Sequence, residues 1–228
     1  MTARRDRFAV ITDAAIELVA ELGMRGLTHR AVDGRAGLPL GSTSAYFRTR
    51  KALIEAVVRR LADLDRADLE ATDLPVEAAT GPAVPPGGSG PLGPRELDQL
   101  ANRIAGLLDR WLTAGRIRTL ARYACLLEAT HHPELREILS YGIASRTQAR
   151  ALLGQAGAAD PERSGKHLVA CLDGLLFDRL VGAGSLDAPV PGSEQSRQDL
   201  YQAVRTVLFA MAATGSPAPG GPDTGDNA

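Results

Sequence analysis

The chain has 228 residues, of which 44% are hydrophobic and 23% are charged, so it is long enough for one or two domains with a substantial core. This composition excludes a disordered or collagen-like protein. Its two cysteines, Cys125 and Cys171, are too few for a disulfide framework or a cysteine-rich zinc site. A net charge of −1 over the whole chain also argues, at first sight, against nucleic-acid binding.

No targeting or membrane-spanning segment is expected. Asp13, Glu17 and Glu21 interrupt the apolar runs that a signal peptide would need near the N-terminus. The longest nearly uncharged apolar stretch, residues 206–214, is far shorter than the roughly 20 residues that span a bilayer. We therefore expect a cytoplasmic protein with reduced thiols.

Two segments rich in proline and glycine divide the chain. Residues 73–94 and residues 214–228 have this composition, which buries little apolar surface and is costly to order. We expect the first to be a flexible loop and the second a disordered tail. The predicted organisation is one domain over residues 1–49 and a second over residues 50–213 that contains the loop.

The rest of the chain is predicted to be helical. Apolar residues recur at intervals of three and four, and no segment alternates with a period of two, so the predicted fold class is all-α. The first helix covers residues 5–22 and is ended by Gly23. The second predicted helix begins after Thr28 and ends at Gly37, the third spans residues 41–47, and the fourth runs from about Arg50 to Leu69. A fifth helix contains Leu97 to Trp111. Four more are predicted over residues 116–130, 133–156, 161–182 and 193–213.

Residues 27–53 are typical of a helix-turn-helix motif. Two short predicted helices are separated by Gly37, Leu38 and Pro39. Gly37 can adopt the positive φ of a tight corner, Leu38 supplies an apolar contact to a small core, and Pro39 lies near the first helical turn, where a missing N–H is harmless. In such a motif the second helix enters the major groove of DNA.

The second helix of this motif is short and polar. Its hydroxyl groups, on Ser42, Thr43, Ser44 and Tyr46, suit both phosphates and base edges. Arg48, Arg50 and Lys51 follow at once and could bind phosphate. Residues 1–60 contain eleven Lys/Arg and six Asp/Glu, a charge of +5, whereas the remainder carries −6. The positive charge is therefore concentrated around the motif.

The motif resembles that of the TetR family of transcriptional regulators. The resemblance covers residues 6 to about 60 and is carried by Leu27-Thr28, Ala36-Gly37, Gly41-Ser42-Thr43, Tyr46-Phe47, Arg50 and Leu53. It implies a three-helix DNA-binding domain, joined by a long helix to a larger helical domain that binds an effector and dimerises. It also implies that the DNA-binding residues are Thr28, Arg30, Leu40, Gly41, Ser42, Ser44, Tyr46 and Arg50.

The resemblance further implies an effector pocket and a homodimer interface in the second domain. Pockets are mostly apolar with a few polar groups, and the candidate lining residues are Trp111, Tyr123, Tyr141, His167 and Phe177. Two apolar stripes could pair with their copies in a four-helix interface. They comprise Leu168, Leu172, Leu175, Leu176 and Leu180 in one helix and Leu200, Val204, Val207, Leu208 and Met211 in the other. Each of these residues could equally lie in an ordinary core.

No metal, cofactor or catalytic site is expected. His131 and His132 lie near Cys125, but adjacent residues on a helix point in different directions and no second ligand pair follows. The chain has no nucleophile elbow, phosphate-binding loop, Rossmann glycine pattern or zinc-protease motif.

The motif and the resemblance predict a sequence-specific DNA-binding regulator, a dimeric repressor released by a small molecule. The alternative is a ligand-binding or interaction protein without specific DNA recognition, since Gly34 weakens a motif helix and Leu40 is apolar.

Overall fold

The computed structural model describes residues 2–72, 92–131 and 143–213. These residues form ten helices and no strand, which confirms the all-α prediction. The helices are α1 (Thr2–Gly26), α2 (His29–Arg35), α3 (Ser42–Tyr46), α4 (Arg50–Glu70), α5 (Pro94–Leu112), α6 (Arg116–Glu128), α7 (Ile143–Gln155), α8 (Pro161–Val181), α9 (Gly184–Asp187) and α10 (Glu194–Ala213). Among the described helices, none is both long and apolar enough to cross a membrane.

The helix ends follow local sequence signals with two differences. The backbone at Gly23 has φ of 67°, which kinks α1, and helix resumes to Gly26 instead of ending there. The short helix α9 was not predicted. Thr28 and Thr49 cap α2 and α4, because their hydroxyls accept the Ala31 N–H at 3.2 Å and the Ala52 N–H at 3.1 Å. The predicted loop, apart from its last residues 92–94, the predicted tail and the start of the helix over 133–156 lie outside the described residues.

The N-terminal core joins α1 to α4 with one face of α6. Leu53, Val57 and Leu61 of α4 are buried against α1, and Ala121 and Cys125 of α6 complete the same cluster. The predicted domain boundary between residues 49 and 50 thus passes through a continuous core. The first three turns of α4 are therefore part of the N-terminal core.

The second core lies among α5, α7, α8 and α10. Its centre is formed by leucines that are almost inaccessible to solvent, such as Leu108, Leu112 and Leu153. It also contains six of the ten predicted dimer-interface residues, each at most 3% exposed within the single chain: Leu168, Leu176, Leu180, Leu200, Val204 and Leu208. These six stabilise the chain's own core, so in this conformation they are unavailable to a partner chain. The other four, Leu172, Leu175, Val207 and Met211, are half-buried against that core.

Candidate nucleic-acid interface and effector site

The helix-turn-helix is formed by α2, a turn at residues 36–41, and α3. Gly37 and Gly41 in the turn have φ of 63° and 91°, conformations that residues with a Cβ rarely adopt. The Leu38 N–H bonds the Asp33 carbonyl at 2.9 Å, which fixes the corner. Phe47 after α3 is buried and packs edge-on against Phe8, with ring centroids 5.1 Å apart. Phe47 therefore attaches the end of α3 to the N-terminal core.

Asp33 is the most buried charged residue of the motif, at 1% exposure. Its carboxylate accepts the Gly41 N–H at 2.7 Å, the Thr43 N–H at 2.7 Å and the Thr43 hydroxyl at 2.6 Å. Burial by itself would raise the pKa of this carboxyl. The hydrogen bonds from Thr43 and Gly41, together with nearby His29, outweigh burial and hold the pKa below its ordinary value. Asp33 thus stays ionised at neutral pH.

Neither Asp33 nor His29 was predicted to act in the motif. The His29 Nε2 atom lies 2.6 Å from the Phe47 carbonyl oxygen, at the opposite end of α3 from Asp33. A sequence signal for Asp33 did exist. The N-cap residue of α3 is Gly41, which has no side chain to cap the helix, so the first N–H groups of α3 need an acceptor from elsewhere. The prediction also grouped Thr43 with the exposed hydroxyls, but Thr43 is fully buried against Asp33.

Most of the predicted DNA-contacting residues lie on the outer face of the motif. Leu40, Gly41, Ser44 and Tyr46 are exposed, Leu40 by 73%, and Ser42 is half-buried. At the start of α2, Thr28 and Arg30 are exposed on the same part of the chain. Their hydroxyl and guanidinium groups can donate hydrogen bonds to the acceptor atoms of duplex phosphates and base edges.

The cations around the motif divide into outward-facing and internally bonded ones. Arg30, Arg48 and Lys51 are exposed. Arg50 is exposed too, but its guanidinium donates to the Met24 carbonyl at 2.5 Å, which ties α4 to the end of α1. Two further arginines join helices through carboxylates: Arg35 bonds Glu17 and Glu21, and Arg60 bonds Asp13. The positive surface at α3 therefore comes from fewer arginines than the sequence count suggests.

A second cluster of polar contacts joins the far end of α4 to α5 and α6. Asp68 of α4 accepts the Trp111 indole N–H at 2.9 Å and an Arg118 N–H at 3.0 Å. One turn earlier, Asp65 accepts an Arg122 N–H at 3.1 Å. Burial raises the pKa of Asp65 above its ordinary value, although the Arg122 charge opposes this. These contacts are the polar link between the DNA-binding helices and the larger domain.

Arg122 is also surrounded by aromatic rings. Its guanidinium carbon lies 4.9 Å from the Trp111 ring centroid and 5.3 Å from that of Tyr123, which are cation–π distances. The Tyr123 hydroxyl donates to the Asp173 carbonyl at 3.1 Å, and its ring packs edge-on against Phe177 at 5.2 Å between centroids. Three of the predicted pocket residues, Trp111, Tyr123 and Phe177, are thus brought together by α5, α6 and α8.

The remaining pocket predictions are placed differently. His167 is exposed on α8, and Tyr141 lies outside the described residues. A shallow groove of about 380 Å³ lies on α10 instead, lined by Pro189, Glu194, Gln195, Gln198, Asp199 and Gln202. It shares no residue with the predicted pocket.

The two cysteines differ in exposure. Burial raises the pKa of Cys125 to about 12, so this thiol stays protonated at neutral pH, whereas Cys171 is exposed on α8.

A helix-turn-helix with a polar outer face, joined by a long helix to a larger all-helical domain, is the architecture of a class of DNA-binding regulators. Residues 95–217 match the family model described as "Tetracyclin repressor-like, C-terminal domain". This match covers more than half of the chain, so the protein belongs to the TetR family of transcriptional regulators. No curated protein sequence matches the chain significantly.

Solved structures agree with the family. The fold is similar to that of a transcriptional regulator from Rhodococcus sp. Rha1, with 23% identity and a TM-score of 0.66 over 93% of this chain and 99% of that chain. A TetR-family member from Streptomyces coelicolor A3 shares 27% identity, with a TM-score of 0.61 over 86% of this chain and 97% of that chain. The multidrug binding protein EbrR, solved with ethidium, shares 26% identity, with a TM-score of 0.57 over 86% of this chain and 97% of that chain.

Proposed function

We propose that this protein is a dimeric repressor that binds a two-fold symmetric DNA operator through α3 and leaves it when a small effector binds. The observation that carries the proposal is the outer face of the motif. There Ser44 and Tyr46 are exposed beside Arg30 and Arg48, while Asp33 and Phe47 hold α3 on the core from within. This separation of a packed inner face from a polar, basic outer face is what major-groove recognition requires.

The proposed effector site lies where Trp111, Tyr123 and Phe177 meet Arg122. Large aromatic surfaces next to a few polar groups suit an aromatic or otherwise apolar small molecule. The similarity to EbrR, whose solved complexes include the aromatic dyes ethidium and malachite green, supports an aromatic effector. Tyr141 and His167 remain further candidates for lining the site.

The proposed route from effector to DNA is α4. A molecule bound against Trp111 or Tyr123 would disturb the contacts of Asp68 and Asp65, which hold the end of α4. Because α4 is packed into the N-terminal core, it would carry α3 with it. Two recognition helices must lie about 34–36 Å apart to enter successive major grooves, so a small rotation of α4 would lower operator affinity. The shift is limited by the effector's differential affinity for the two states.

For the dimer we propose the outer face of α8, since the inner stripe is used within the chain. The residues exposed on this face are Ala170, Cys171, Gly174 and Val181, and small side chains let two helices approach closely.

Substituting Val181→Arg should weaken dimerisation by about tenfold or more, because an unpaired charge would be buried. Sedimentation velocity over a range of concentrations measures this. The matched control is Leu127→Arg, on the exposed side of α6. A dimer of unchanged strength in Val181→Arg would contradict the assigned face.

The operator is tested by selection from random duplex DNA followed by the Tyr46→Ala variant. The wild-type protein should enrich a two-fold symmetric sequence, and Tyr46→Ala should weaken binding to it by about tenfold or more, since one good base contact contributes about 1–3 kcal/mol. The thermal unfolding of the variant should be unchanged because the ring is partly exposed. Tyr46→Phe separates the ring contact from the hydroxyl contact. Enrichment of no sequence would instead favour a ligand-binding protein without specific DNA recognition.

A further inference from the structure

The recognition helix α3 cannot hold its own shape. It has five residues, Ser42–Tyr46, and its N-cap residue Gly41 makes no side-chain capping bond. A single helical turn costs more to nucleate than its few hydrogen bonds return. The first N–H groups of a helix also need acceptors from outside it. The orientation of α3 must therefore be set by another part of the protein.

The helix α2 supplies these contacts at both ends of α3. At the first end, Asp33 accepts the Gly41 N–H, the Thr43 N–H and the Thr43 hydroxyl, all at 2.6–2.7 Å. At the other end, the His29 ring lies 2.6 Å from the Phe47 carbonyl. His29 and Asp33 are four residues apart, so both lie on one face of α2. Two fixed points on one short helix thus define the axis of α3.

We propose that Asp33 is a positioning residue for sequence-specific DNA binding, a role that rests on the proposed function. Its carboxylate is buried, so it touches no DNA and acts only through α3. Charge-assisted hydrogen bonds are short and strong, and they aim Ser44 and Tyr46 at a fixed angle to α2. Base-edge contacts depend on that angle. Phosphate contacts from flexible exposed arginines such as Arg48 depend on it much less.

The first test needs no operator. In Asp33→Asn the side-chain oxygen can still accept from Thr43. The side-chain NH2 group, however, faces the Gly41 N–H, and two donors cannot form a hydrogen bond. Hydrogen exchange of the Gly41 amide, which loses its acceptor, should become about tenfold faster or more. The Leu38 amide bonds the Asp33 backbone carbonyl, which the substitution retains, so its exchange serves as the internal reference. Unchanged protection of Gly41 would overturn the proposal.

The second test compares affinity for the selected duplex with affinity for a scrambled duplex of equal length at one salt concentration. In Asp33→Asn the Kd for the selected duplex should rise about tenfold or more, while the Kd for the scrambled duplex changes by less than about threefold. A merely structural loss would weaken both. The control is Glu17→Gln, which removes the same charge from a partly exposed side chain of the same domain and should leave the ratio unchanged.

Thr43 provides a milder variant in case Asp33→Asn fails to fold. Thr43→Val removes only the hydroxyl donor, and Thr43→Ser restores it, so the specific affinity should fall in the first and recover in the second. Equal loss of selected and scrambled binding in both Asp33→Asn and Thr43→Val would overturn the positioning role. A wild-type protein that selects no duplex would overturn the proposed function and this role together. Normal wild-type selection with an unchanged ratio in Asp33→Asn would overturn this role alone.

Discussion

Substituting Leu53→Ala should lower the free energy of unfolding by about 2–5 kcal/mol, the usual cost of replacing a buried leucine by alanine. Leu53 of α4 is 0% exposed and belongs to the core shared by α1, α4 and α6. The substitution would leave a cavity in this core. Urea denaturation followed by far-UV circular dichroism gives the change in unfolding free energy.

The control for this variant is Leu22→Ala on α1. Leu22 is 61% exposed, and alanine is a better helix former than leucine, so the change should be within about 0.5 kcal/mol. Leu53→Ala should also weaken binding to the selected duplex, because the same core holds the helices of the motif. A loss of less than about 1 kcal/mol would contradict the continuous core that we describe across residues 49 and 50.

Substituting Arg122→Met should destabilise the protein by about 2–3 kcal/mol at pH 7, below the range for fully buried ion pairs. The side chains of Arg122 and Asp65 are 21% and 26% exposed, so solvent screens part of the lost interaction. Methionine keeps the stem that packs against the Trp111 and Tyr123 rings. The main loss is therefore the positive charge that faces Asp65 and, at 3.9 Å, Asp173.

The pH dependence of the Arg122→Met effect follows from Asp65. Burial raises the pKa of Asp65 above its ordinary value of 3.8, and Arg122 opposes that rise. A carboxyl with a raised folded-state pKa favours the native state below its unfolded-state pKa, and this contribution is lost as the pH rises through the folded-state pKa. Removing Arg122 raises the folded-state pKa further. The deficit of Arg122→Met relative to wild type should thus be largest at pH 7 and smaller at pH 4.

Two further variants test whether the Arg122→Met effect comes from the unpaired Asp65 charge. Adding Asp65→Asn to Arg122→Met should recover part of the stability at pH 7, since a neutral amide needs no counter-charge. Arg118→Met is the matched control on the same helix. It should cost less than Arg122→Met, because Asp68 keeps the Trp111 N–H as a partner. Urea denaturation at pH 7, 5 and 4 measures all three, and an Arg122→Met deficit that does not change with pH would contradict the role given to Asp65.

The helices and the motif could be predicted because their signals are local. Thr28 and Gly37, from which α2 and the turn were predicted, lie within a few residues of the helix ends that they determine. The predicted starts of α4 and α8 match the structure closely for the same reason. The concentration of cations in residues 1–60 is likewise a property of the sequence. The class of protein followed from these features.

The sequence could not decide whether the apolar face of a helix packs within its own chain or against a partner chain. The stripe containing Leu168, Leu176 and Leu180 was correctly placed on a helix, but a helical period is the same whether the partner belongs to the same chain or to another. The fold resolved this by packing the stripe against α5, α7 and α10. Thr43 was grouped with exposed hydroxyls for a similar reason, because its buried acceptor Asp33 lies ten residues away.

By itself, then, the sequence determined that the chain is helical, where its helix-turn-helix lies and where its positive charge is concentrated, since each depends on neighbouring residues. Only the tertiary structure decided which residues hold the motif and the two cores together. Asp33 with Thr43, Asp65 with Arg122, and Asp68 with Trp111 are separated by 10, 57 and 43 residues. Such pairs leave no periodic trace, because hydrogen bonds and ion pairs depend on distances that exist only once the helices have packed.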